Sequence, residues 1–216
     1  MYIKNNLCYT IYVKQKIIIS CIVILLCYVG FLFIKPHQKI TNYPSSGDSI
    51  IAFGDSLIEG VGATPGKDLV SQLSKKIGEP IINLGISGNT TAQGLARVDR
   101  VAEYKPKVVL VLLGGNDYLQ KVPKEETFKN LETIVSRIQN TGAVVVLLGI
   151  QGGVFTDPYN TEFESLAQKK GAVYVSNVLE GLVGNSRYMS DAIHPNDVGY
   201  SKIVDRIYPE VKKVLR

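Results

Sequence analysis

Beyond residue 44 the chain has no cysteine: Cys8, Cys21 and Cys27 are the three in its 216 residues. The body of the chain therefore holds no disulfide, no thiol nucleophile and no thiolate metal site. Histidine is almost as scarce. Of His37 and His194, only His194 lies beyond the polar stretch that follows the N-terminal region. Imidazole chemistry there rests on one side chain, and a multi-histidine zinc site is excluded. Acidic residues are missing from residues 1–44, which carry five lysines at 4, 14, 16, 35 and 39. Those five make up the whole excess of 24 Lys+Arg over 19 Asp+Glu, so residues 45–216 are balanced. A balanced body leaves no electrostatic footprint for a phosphate backbone, and the 12 tyrosines are scattered, without a stacking platform. Nucleic acid is not an expected partner. With 45% hydrophobic and 20% charged residues, the composition is globular and excludes disordered, collagen-like and disulfide-scaffold classes.

What is present divides the chain into four parts. Residues 1–16 form a basic segment. Residues 17–34 (IIISCIVILLCYVGFLFI) run without a charge, and as a helix at about 1.5 Å per residue would span roughly 27 Å, close to a bilayer core. Lys14 and Lys16 flank one end and Lys35-Pro36 the other, and no small-residue cleavage site follows. The expectation is an uncleaved transmembrane signal anchor, with a cleaved signal and a secreted product as the alternative. Three lysines before the span and two after it bias the N-terminus toward the cytoplasm and the remainder to the periplasm or cell surface. Residues 35–48 read as a polar Pro/Ser/Gly linker, and residues 49–216 as one globular domain, expected to be a monomer.

In that domain, apolar runs of strand length alternate with helical patterns. Strands are expected at 49–53, 80–84, 107–113, 143–150 and 172–175. Their near-continuous Val/Ile/Leu content is the mark of strands buried on both faces. Leu69, Leu73 and Ile77 mark one helix; Leu131, Ile134, Val135 and Ile138 mark another. Ile203, Ile207, Val211 and Leu215 mark the last. The class is α/β, a five-stranded parallel sheet with helices on both faces, and ligands in such folds bind beyond the carboxyl ends of the strands.

The small polar clusters stand at those ends: Gly54-Asp55-Ser56-Leu57, Asn83-Leu84-Gly85-Ile86-Ser87-Gly88-Asn89, Gly114-Gly115-Asn116-Asp117 and, near the C-terminus, Asp191-Ala192-Ile193-His194-Pro195-Asn196. Each alone is ordinary turn or cap chemistry. Together they suit acyl transfer. A serine hydroxyl needs a base, and His194 is the one available. Asp191, three residues earlier, can turn back to fix the imidazole tautomer. Glycine turns expose N–H groups for an oxyanion, and Asn116 can add a side-chain amide. Asn196 is a plausible N-cap for the last helix. Asp55 reads as a turn-shaping side chain, and Ser87 as a spare hydroxyl in a turn.

GDSL at 54–57, NLGISGNT at 83–90, GGND at 114–117 and DAIHP at 191–195 together resemble the SGNH, or GDSL, hydrolase family, over essentially all of residues 49–214. GDSLIEGVG and SGNTTAQGLARVD are similar to its bacterial thioesterase/lysophospholipase/arylesterase branch. The resemblance implies a flavodoxin-like three-layer α/β/α sandwich and a serine hydrolase without metal or cofactor. Ser56 would be the nucleophile, His194 the base and Asp191 its orienting acid. Ser56 N–H, Gly85 N–H and the Asn116 side chain would form the oxyanion hole. Asn89, Asp117, Gly153, Val154 and Phe155 are expected to contact substrate, the last three in a segment that departs from the branch's Pro/Asn/Tyr-containing loop. The implied activity is hydrolysis of acyl esters, thioesters or lipids. An O-deacetylase of cell-envelope polysaccharide would use the same residues, and a flavodoxin-like mononucleotide-binding module is the alternative of another class.

Overall fold

A computed structural model describes residues 16, 19–25, 39–150 and 158–215. The chain divides into two units, Met1–Gln38 and Lys39–Arg216. In the first, residues 19–25 are helical and exposed, and the rest of the expected 17–34 span lies outside the described residues. Among the described residues no helix is long and apolar enough to cross a membrane.

The second unit runs β1 (Ser49–Gly54), α1 (Ser56–Glu59), α2 (Leu69–Ile77), β2 (Ile81–Gly85), α3 (Thr91–Arg97), a 3-10 segment (Val98–Tyr104) and β3 (Pro106–Leu112). It continues through α4 (Gly115–Leu119), α5 (Lys124–Gln139), β4 (Val144–Leu148), α6 (Pro158–Lys170), β5 (Val173–Val175) and α7 (Asp197–Val214). The five strands are parallel, in the order β2-β1-β3-β4-β5. Side chains alternate between two cores, as the two-residue period of a strand requires. Ile50, Ala52, Val108, Leu110, Val144 and Val146 face α2 and α7, packing on Leu73, Ile203 and Ile207. Ile51, Phe53, Val109, Val111, Val145 and Leu147 face the other way, toward Leu131, Ile134, Val135 and Phe163. That double burial is why the strands read as unbroken apolar runs. The fold is the three-layer sandwich expected.

The stretch 35–48 is only partly a linker, since residues 39–48 belong to the compact unit. They cross the starting ends of three strands in turn. Before β5, Thr41 N donates to Gly171 O at 2.9 Å and Thr41 Oγ1 to Lys170 O at 2.9 Å. Before β4, Asn42 Nδ2 donates to Gln139 O and Ala143 O at 2.7 and 3.0 Å, and Ser45 Oγ to Gly142 O at 3.0 Å. Before β3, Asp48 N donates to Lys105 O at 2.8 Å. The Thr, Asn and Ser side chains that make the segment look like loose turn sequence satisfy carbonyls at helix ends and strand starts. A side chain at Gly171 would put its Cβ 2.5 Å from Thr41 Oγ1, so glycine is needed there for the strap to lie down.

Candidate active site

Ser56 opens α1 directly beyond the carboxyl end of β1. Asp55 caps that helix, its Oδ1 accepting from Leu57 N at 3.0 Å. The Ser56 N–H, at the helix start, has no hydrogen-bond partner among the described residues. Its hydroxyl faces His194 across the C-terminal loop. In that loop Met189 bridges Pro195, and Ser190 donates to His194 O through N at 2.9 Å and through Oγ at 3.0 Å. Asn196 caps α7 as expected, Oδ1 accepting from Val198 N and Gly199 N at 3.0 and 3.1 Å. Gly62, at φ 93°, lets the chain after α1 pass beside this loop, since a Cβ there would lie 2.3 Å from Ser190 Oγ.

The loop aims His194 at both partners. Asp191 Oδ1 accepts from Ile193 N and His194 N at 2.8 and 2.7 Å, and its Oδ2 faces His194 Nδ1 at 2.7 Å. His194 Nε2 lies 3.0 Å from Ser56 Oγ. A carboxylate on Nδ1 keeps the proton on that nitrogen and leaves Nε2 free to accept from the serine. The imidazole and these two backbone N–H groups hold the Asp191 carboxyl down at about 2, so it stays ionised across the working range.

Asn116 stands in α4, after β3. Its Nδ2 donates to Asn89 O at 3.0 Å and reaches Asp55 Oδ2 only at 3.4 Å, the outer limit of a hydrogen bond. One N–H is thus anchored and the other loosely held. Gly85 differs from its expected role: its N–H already donates to Asn83 Oδ1 at 2.8 Å. Its glycine character serves close packing instead, because a Cβ would meet Glu59 N at 2.2 Å. Three residues on, Gly88 lies in the left-handed region at φ 78°, and its N–H has no partner among the described residues. Sequence reasoning passed over it, although its turn is in the same block and ends at Asn89, whose carbonyl anchors Asn116.

The expected substrate contacts fare differently. Asp117 is fully buried and accepts from Thr91 N at 2.8 Å and from Thr91 Oγ1, tying α3 to α4 behind the site. Asn89 turns its Oδ1 to Arg97 Nε at 2.7 Å. That guanidinium also donates to Leu84 O and Gly54 O at 2.9 and 2.7 Å, clamping the ends of β1 and β2. Neither Asn89 nor Asp117 lines the cavity, and both support it instead. Gly153, Val154 and Phe155 lie outside the described residues. Ser87 is exposed and has no imidazole beside it, since His194 Nε2 faces Ser56.

A cavity of about 360 Å³ opens at Ser56, His194 and Asn116, and Leu119, Ile150, Tyr159, Leu179, Val183 and Ile193 wall it. Tyr118 packs edge-on against Tyr159, centroids 5.7 Å apart. Tyr118 and Leu119 follow the GGND block and Ile193 lies within DAIHP, so all three were findable from sequence. Leu179 and Val183 sit in successive turns that carry no periodic signal.

Asp55 is 2% exposed, and burial pushes its carboxyl from 3.8 up to about 7, against the hydrogen bond from Leu57 N and the charge on His194. The folded protein therefore binds this proton more tightly than the unfolded chain. Its contribution to stability is full below about pH 4 and is lost as pH rises through about 7, at most about 4 kcal/mol. Asp55→Asn keeps an acceptor for Leu57 N and should gain on the parent protein as urea melts are moved from pH 4 to pH 8. A difference that does not change with pH would contradict the buried, proton-holding carboxyl.

Residues 52–202 match the GDSL-like lipase/acylhydrolase family. The chain belongs to that family. It is an SGNH/GDSL-type serine hydrolase acting on carboxylic esters. The esterase TesA of Pseudomonas aeruginosa is 29% identical over 183 residues, covering 79% of this chain and 91% of its own. The thioesterase 1/protease 1/lysophospholipase L1 of Escherichia coli K12 is 27% identical over 178 residues, 78% of this chain and 84% of its own. Among solved structures, the crystal structure of TesA superposes on the hydrolase with a TM-score of 0.73 at 29% identity, over 77% of this chain and 99% of its own. AlinE4, an SGNH-hydrolase family esterase, does so at 0.60 and 33%, over 80% and 100%.

Proposed function

We propose that the hydrolase cleaves acyl esters or thioesters through an acyl-enzyme on Ser56. The observation that carries this is the relay Asp191–His194–Ser56, joined at 2.7 and 3.0 Å. Ser56 Oγ attacks the substrate carbonyl while His194 Nε2 takes its proton. The imidazolium, held by Asp191, then protonates the leaving alcohol or thiol as the tetrahedral intermediate collapses to the ester of Ser56. Water repeats the sequence, giving its proton to His194 and releasing the acid. The oxyanion is received by the N–H groups of Ser56 and Gly88 and the carboxamide of Asn116. Gly88 replaces Gly85 in this reading because its N–H is the uncommitted one.

The apolar walls of the cavity favour an acyl chain over a sugar, which supports the esterase over the polysaccharide deacetylase. The charge-free run 17–34 and its flanking lysines support an anchored enzyme working outside the cytoplasm. Cells expressing the full chain test both readings together. The protein should pellet with membranes, resist carbonate, be shaved by protease from spheroplasts, and hydrolyse p-nitrophenyl esters of medium acyl chains faster than the acetate. Recovery in the soluble periplasm would overturn the anchor, and a strict preference for acetate would overturn the acyl-chain pocket.

A further inference from the structure

Glu59 ends the four-residue helix that Ser56 begins. Its side chain is exposed, it forms no ion pair among the described residues, and it sits away from the cavity. A glutamate in that position reads as a solvated end of a short helix. Its carboxylate, however, crosses to the turn after β2, where Glu59 Oε2 accepts a hydrogen bond from Ser87 N.

The segment it reaches carries both supports of the oxyanion site that do not belong to α1. Gly88 N–H follows Ser87 directly, and Asn89 O, one residue further, anchors Asn116 at 3.0 Å. The turn is fixed at its start by Ile86 N donating to Gly54 O at 3.1 Å, and closed on itself by Asn89 N donating to Ile86 O at 3.2 Å. From the helix side, Asn83 Nδ2 donates to Ile58 O at 2.8 Å and Gly85 packs against the α1 backbone. These contacts hold β2 to α1 below the turn. At its crest, Ser87–Gly88, the Glu59 carboxylate is the hydrogen bond that ties the turn to the helix bearing the nucleophile.

We propose that Glu59 is a positioning residue for the oxyanion site, setting the distance from the Ser56 N–H on α1 to the Gly88 N–H and to the Asn89 carbonyl that anchors Asn116, both on the 86–89 turn. This rests on the serine-esterase reading given above. Oxyanion donors act only if they are already in place when charge develops on the carbonyl oxygen, because the gain comes from not having to reorganise. A turn free to drift by a fraction of an ångström gives up part of that gain while leaving the acyl cavity as it was. The signature is therefore a loss in kcat with KM unchanged.

The test compares Glu59→Ala and Glu59→Gln with the parent in the full-length chain, using a p-nitrophenyl acyl ester and an alkylboronic acid. The boronic acid adds to Ser56 Oγ and puts a tetrahedral oxygen into the oxyanion site. Glu59→Ala should lower kcat roughly tenfold and weaken boronate binding by about the same factor. KM and the affinity for the carboxylic acid product should hold, and Tm should stay within a few degrees because the side chain is exposed. Glu59→Gln retains an acceptor oxygen for Ser87 N and should restore both quantities to within about threefold. Unchanged kcat and boronate affinity in Glu59→Ala would overturn the proposal, as would a loss shared equally by KM and product binding. The esterase reading itself is judged separately by Ser56→Ala, so the inference on Glu59 can fail while that reading stands.

Discussion

Ser56→Ala is expected to lose at least about 10⁴-fold in ester hydrolysis while keeping its fold. Among the described residues no other hydroxyl lies against His194 Nε2. Ser87, in the oxyanion turn itself, has no imidazole beside it, and His194 Nε2 is committed to Ser56 at 3.0 Å. Ser56 Oγ makes that one side-chain hydrogen bond, so its removal leaves the cap of α1 by Asp55 untouched, and Tm should move by no more than a few degrees. A serine-directed phosphonate should add to Ser56 in the parent and to nothing in the variant, read by peptide mass spectrometry. Retention of more than about a tenth of parental turnover, or labelling at Ser87, would remove Ser56 from its role.

Asn116→Ala should cost roughly 10²–10³ in kcat, equivalent to about 3–4 kcal/mol, with KM changed little. The asymmetry follows from how the side chain is held. One N–H is spent on Asn89 O at 3.0 Å, and the other has only the 3.4 Å contact with Asp55. A developing oxyanion offers that second N–H a much stronger acceptor than the ground-state carbonyl does, so the donor counts mainly in the transition state. An effect confined to KM would instead make Asn116 a substrate-binding residue. An alkylboronic acid should lose affinity in parallel with kcat.

Much of this architecture was legible because the strands are buried on both faces. A run such as Val108–Leu113, with no exposure at any position, tolerates no polar residue and so announces itself. The expected strands fall within a residue or two of those observed for the same reason. Ser56, Asp191 and His194 were legible because each sits in a short, local block at a strand end or tight loop, and the structure brings the three together. Reading failed where a choice depended on hydrogen bonds rather than residue type. Gly85 and Gly88 are equivalent as letters, and only the bond from Gly85 N to Asn83 distinguishes the spent amide from the open one. Asp117 and Asn89 look like site residues because they adjoin Asn116 and Gly88, but the direction of their side chains sends them into the scaffold. The strap at 39–48 was hidden more deeply, since Asn42 and Ser45 bond to groups about a hundred residues away.

That strap also fixes where the chain arrives. Residues 39–48 lie along the floor of the sheet, at the strand starts, while Ser56 and His194 stand at its roof, the length of a six-residue strand, or roughly 20 Å, away. A carrier or bead fused ahead of Lys39 is therefore joined to the catalytic unit through the strap, at the end of the sheet opposite Ser56. Any cut made to free the catalytic unit must fall before Lys39, so that the strap is kept.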